Sequence, residues 1–78
     1  MSGAHGIVCR LRSFREDRGL TQVDLAETLL VSRQTIISIE QGRYAPSLDL
    51  ALRMAKFFAV PIENLFQLQD DGQAMQAS

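Results

Sequence analysis

The run Arg33-Gln34-Thr35-Ile36-Ile37-Ser38-Ile39-Glu40-Gln41 holds the side chains whose types and spacing best suit recognition chemistry. On a helix advancing ~100° per residue, Ile36 and Ile39 fall on one side with Thr35. Arg33, Gln34, Ile37, Ser38 and Gln41 fall on the other. Those side chains match the edges of base pairs. Arg grips guanine O6 and N7, Gln pairs with adenine N6 and N7, Ser bonds either, and an aliphatic group meets the thymine methyl. Ile37, apolar on a polar face, has three readings: a tolerated lone hydrophobe, a methyl contact, or a contact with another protein. Polar helix faces are common, so this pattern alone leaves a plain solvated surface as an equal alternative.

Other chemistries lack their residues. The chain has no paired-carboxylate pocket, no metal-ligand cluster and no phosphate loop, so no enzyme, cofactor or metal site is expected. Its one histidine, His5, lies outside any apolar pattern and reads as solvated. Cys9 is the sole cysteine; a small apolar residue on the first helix outweighs a redox or intermolecular role. No apolar run approaches the ~20 residues a membrane span requires. Met1 to Gly6 has no basic region, and Ile7-Val8-Cys9 is too short for a signal-peptide core. A cytoplasmic location is therefore expected, with neither a membrane nor a small-molecule substrate as partner. The net charge of −1 argues mildly against nucleic acid. Without Asp70 and Asp71, however, the remaining chain is net positive, and the placement of its basic residues matters more than their sum.

The elements that must position these side chains read as all-α. With 78 residues there is room for one domain and a compact core. A first helix is predicted over Ile7–Arg18, with Ile7, Leu11 and Phe14 as its apolar stripe and Gly19 as its stop. Thr21 opens a second, with Asp24 three residues on as a near capping box; Val23, Leu25, Ala26 and Leu29 supply its buried face. Ser32 caps a third over Arg33 to about Gln41, ended by Gly42. Ser47, after Pro46, caps a fourth whose apolar positions include Leu48, Ala51, Leu52, Met54, Ala55 and Phe58. Pro61 starts a short fifth over Ile62–Phe66. Residues 1–6 read as a flexible start, 7–66 as the domain, and 67–78 as a polar, mostly disordered tail. Helices two and three are joined by only Leu30-Val31-Ser32, a link so short that they must cross steeply as a helix-turn-helix.

Three stretches carry a resemblance. They are Leu20-Thr21-Gln22-Val23-Asp24-Leu25-Ala26-Glu27, Val31-Ser32-Arg33-Gln34-Thr35-Ile36, and Ile39-Glu40-Gln41-Gly42-Arg43 with Pro46-Ser47-Leu48. With Val60-Pro61-Ile62-Glu63-Asn64-Leu65-Phe66 added, the chain resembles the lambda-repressor-like (Xre-type) helix-turn-helix family over about sixty residues. The resemblance implies a five-helix DNA-binding domain and a sequence-specific transcriptional regulator, with repression expected, acting as a homodimer on double-stranded DNA. Arg33, Gln34, Ile37 and Ser38 match the positions that meet base edges. Gln22 matches the family glutamine that bonds a phosphate and buttresses the third helix. Ser32, Gln41 and Arg43 match positions near phosphates. Tyr44 adds either a hydroxyl contact or packing against its loop; Arg10 and Arg12 either reach the backbone or stay solvated. Arg15 and Glu40 match a family ion pair, the alternative being a surface Glu40 that restrains Arg33. Ile62, Leu65, Phe66 and Leu68 match a dimer surface, with Phe57 a further candidate; otherwise they seal the core. Leu30 and Ala59 depart from the family pattern, standing where glycine is usual. The competing functional reading is an antitoxin-like module that binds a partner protein as well as DNA.

Overall fold

A computed structural model describes residues 6–69. Its order is β1 (Ile7–Cys9), α1 (Leu11–Asp17), α2 (Gln22–Leu29), α3 (Arg33–Glu40), α4 (Leu48–Phe58), α5 (Ile62–Leu65) and β2 (Phe66–Leu68). Residues 1–5 and 70–78, which hold His5, most of the expected flexible start and most of the expected tail, lie outside the described residues.

Each helix begins and ends for local reasons. Thr21 and Asp24 form a reciprocal capping box: Thr21 Oγ1 accepts from the Asp24 amide at 2.9 Å, and the Thr21 amide donates to Asp24 Oδ2 at 3.0 Å. Ser32 and Ser47 cap α3 and α4 by accepting from the amides of Thr35 and Leu50. At the other ends α1 to α4 all close in the same way. A left-handed residue, Gly19, Leu30, Gly42 or Ala59, donates its amide back into the last turn, and the next residue donates to the carbonyl one residue deeper, as Arg43 does to Ser38 at 2.9 Å. This double closure satisfies carbonyls that the helix leaves bare. Two arginines take further terminal carbonyls. Arg53 Nη1 donates to Leu29 O at 2.6 Å, and Arg18, stacked over the Phe58 ring, donates to Phe58 O at 3.0 Å.

The core lies where the five helices converge: Leu11, Leu25, Leu29, Ile36, Ile39, Met54, Phe58 and Leu65 are at its centre. Phe58 anchors it with tilted and edge-on contacts to Phe14 and Phe57. Three expected core positions turn outward. Val23, Leu48 and Leu52 are exposed, whereas Leu50 is buried. Leu48 and Leu52 are one turn apart and share the side of α4 away from the core.

The all-α expectation needs one correction. Ile7–Cys9 does not extend the first helix, and Phe66–Leu68 belongs neither to the fifth helix nor to a structureless tail. The two segments pair antiparallel, Ile7 with Leu68, Val8 with Gln67 and Cys9 with Phe66. Bonds from Gln69 N to Gly6 O and Arg10 N to Leu65 O continue the ladder. Cys9 therefore sits in β1 rather than on α1. It packs against the core, and burial pushes its thiol pKa up, which disfavours the thiolate.

Candidate nucleic-acid interface

Ile36 and Ile39 fix the orientation of α3. Both are buried at 1% exposure or less, so the opposite side of the helix must face out. Arg33 and Gln34 are exposed, and Ile37 and Ser38 are half-buried; Ile37 is thus more embedded than a lone solvent-facing isoleucine would be. Gln34 Nε2 lies 3.4 Å from Ser38 Oγ, a bond long enough to yield to a better partner. Gln34, Ser38, Ser32, Thr35 and Tyr44 line one shallow concavity. Tyr44 is therefore brought to the α3 face from the following loop. Thr35, expected on the inward side with Ile36 and Ile39, instead lies in the same concavity, because the capping serine draws it out: its Oγ1 is 2.9 Å from Ser32 Oγ.

A carboxylate at the far end of α3 ties the unit to the rest of the fold. Glu40 Oε2 accepts from Arg15 Nε at 2.6 Å, and Glu40 Oε1 accepts from Arg15 Nη2 at 3.1 Å. Arg15 Nη1 donates to Leu20 O at 2.8 Å. The two side chains are only 10% and 4% exposed. The hydrogen bond to Glu40 raises the arginine's pKa against the opposing effect of burial, so the guanidinium stays charged. Glu40 also accepts from Gln22 Nε2 at 3.2 Å. One carboxylate thus joins α1, α2 and α3, and it leaves Gln22 one free N–H at the head of α2. The family resemblance implies that Gln22 buttresses α3; that Glu40 is the residue it meets is set by how the helices pack.

The basic side chains divide sharply. Arg15, Arg18 and Arg53 bond carbonyls or carboxylates inside the fold, and Arg12 pairs with Glu16. Arg33 and Arg43, at the two ends of α3, make no side-chain hydrogen bond or ion pair among the described residues, and neither do Arg10 before α1 and Lys56 on α4. Gln41 closes α3 and is exposed. The Oγ of Ser32 is already engaged as the α3 cap, so contact with an outside group would compete with its bond to Thr35.

The model of the helix-turn-helix family matches residues 11–65, which spans α1 to α5. The chain belongs to the lambda-repressor-like helix-turn-helix family of transcriptional regulators. Among relatives of this family, an HTH-type transcriptional regulator of Methanocaldococcus jannaschii is 56% identical over 62 residues, covering 80% of this chain and 94% of the relative. The regulator YgzD of Bacillus subtilis is 40% identical over 62 residues, again 80% of this chain and 94% of the relative. The cryptic phage CTXphi transcriptional repressor RstR of Vibrio cholerae is 34% identical over 56 residues, 72% of this chain and 50% of the relative. Family membership makes the protein a DNA-binding regulator. No helix among the described residues is long and apolar enough to cross a membrane.

The four residues matched to a dimer surface separate. Leu65 is wholly enclosed and seals the core, so it has no surface to offer a second subunit. Ile62 and Phe66 are half-buried and line an apolar groove with Ile7, Pro46 and Leu48. Leu68 is 84% exposed, and as the partner of Ile7 in the two-stranded sheet it shares that residue's face.

Proposed function

We propose that the protein represses transcription by docking α3 in the major groove of a near-palindromic operator as a homodimer. The observation that carries this reading is the division of the cations. The fold consumes Arg15, Arg18 and Arg53 internally, and of the four cations it leaves unpaired among the described residues, Arg10, Arg33, Arg43 and Lys56, two lie on either side of the α3 face holding Gln34, Ile37 and Ser38. Arg33, Gln34, Ile37 and Ser38 read base edges. Gln22, Ser32, Gln41, Arg43 and Tyr44 hold phosphates around them, which positions the helix without selecting sequence. Repression is favoured by the repressor role of the Vibrio cholerae relative.

One domain of this size makes too few contacts for useful specificity, and two-fold dimers of such domains meet half-sites ~34 Å apart. The apolar groove beside Ile62 and Phe66, with exposed Leu68 and Leu48 at its margin, supports the dimer. Selection of bound DNA from a random pool, followed by sedimentation of the complex, tests both. The expected result is an inverted repeat with one-turn spacing, bound by two chains. Enrichment of no sequence refutes the regulator reading, and a strict monomer on DNA refutes the dimer.

A further inference from the structure

Ile37 is the one aliphatic side chain among the four outward base-facing positions of α3, and it is held firmly. It is half-buried, the helix that carries it is anchored by the enclosed Ile36 and Ile39, and its carbonyl accepts from the Gln41 amide at 3.0 Å. A β-branched residue in a helix keeps essentially one χ1 rotamer, so the branch of its side chain is held in one orientation relative to the helix. A fixed aliphatic surface has no hydrogen bond to offer a base edge. What it can recognise in the major groove is the one apolar group found there, the methyl on C5 of thymine. That methyl has a chemical twin. 5-Methylcytosine carries the same group on the same ring carbon, at the same place in the groove.

We infer that Ile37 makes this protein a reader of pyrimidine C5-methylation, favouring a methyl-bearing pyrimidine at one position of each half-site whether the base is thymine or 5-methylcytosine. The inference rests on the docking of α3 proposed above and adds a regulatory consequence: cytosine methylation at that position strengthens binding. Burying one methyl group is worth about a 4-fold change in affinity. In a symmetric operator with two such contacts the effect compounds to roughly 15-fold.

The experiment uses the full chain and the operator selected from the random pool, with each thymine replaced singly by deoxyuridine, which removes only the methyl and leaves pairing and protein unaltered. One position per half-site is expected to lose about 4-fold in affinity. Cytosine opposite guanine at that position should bind more tightly when methylated on C5. Ile37→Ala, checked for native folding by circular dichroism, should remove both responses. The inference is overturned by a half-site without thymine, by deoxyuridine substitutions that have no effect anywhere, or by responses that persist in Ile37→Ala. Failure to enrich any DNA overturns the docking reading itself; tight operator binding indifferent to the methyl overturns only this inference.

Discussion

Leu30 closes α2 with φ 60° and ψ 44°, a left-handed conformation that costs a residue with a Cβ roughly 1–2 kcal/mol. It recovers little by packing, because it is 85% exposed; the enclosed remainder is worth a few tenths of a kcal/mol at ~25 cal/mol per Å². Leu30→Gly removes the strain but loosens the unfolded chain, at a cost of about 0.4–1 kcal/mol. The balance is a net gain of about 0.5 kcal/mol, or a rise in melting temperature of about 2–4 °C for a domain of this size. Leu30→Ala keeps the Cβ and hence the strain, so it should change stability by only a few tenths of a kcal/mol in either direction. Thermal unfolding of the three proteins followed by circular dichroism separates the two effects. Operator affinity should stay nearly unchanged, since Leu30 carries none of the proposed DNA contacts. A melting temperature for Leu30→Gly below that of Leu30→Ala would refute the strain argument, and one for Leu30→Ala well below that of the unaltered protein would make the leucine side chain itself a stabilising element.

Three further outcomes are expected. Glu40→Ala strands the enclosed Arg15 guanidinium and should lower stability by about 3–5 kcal/mol in urea unfolding; a loss under about 1 kcal/mol would put the pair on a par with an exposed bridge. The Asp24 carboxyl is held below its ordinary pKa by the Thr21 amide and then by the Thr21 hydroxyl. Its contribution is therefore complete above the usual carboxylate range and fades as pH falls through the lowered folded value, so Asp24→Asn should flatten the acid side of the stability profile below about pH 4. Arg43→Ala should weaken all DNA sequences alike and reduce the slope of log affinity against log salt by about 1, whereas Gln34→Ala should relax preference at one base pair by about 1–3 kcal/mol; a uniform loss for Gln34→Ala would remove it from the base-reading set.

The local grammar of the chain was legible before any coordinates. Thr21, Ser32 and Ser47 marked helix starts, and Gly19 and Gly42 marked helix ends, because caps depend on residues within one turn of each other. The split of α3 into Ile36 and Ile39 inward, with Arg33 and Gln34 outward, followed from helical periodicity alone. The resemblance to the family supplied the partner of Glu40; no periodicity pointed to Arg15. What sequence could not set were contacts between residues far apart in the chain. The β1–β2 pairing joins Ile7–Cys9 to Phe66–Leu68, two three-residue strands whose only local trace was the alternation Phe66-Gln67-Leu68-Gln69. Three residues are too few for a period to stand out, and such strands hold only because the core seats Cys9 and Phe66. Burial at Leu65, exposure at Leu48, Leu52 and Val23, and the commitment of Arg18 and Arg53 to helix-end carbonyls were likewise decided by which helices meet. Amphipathic periodicity fixes which side of a helix turns inward only to within a broad arc. Helix packing then chooses within it.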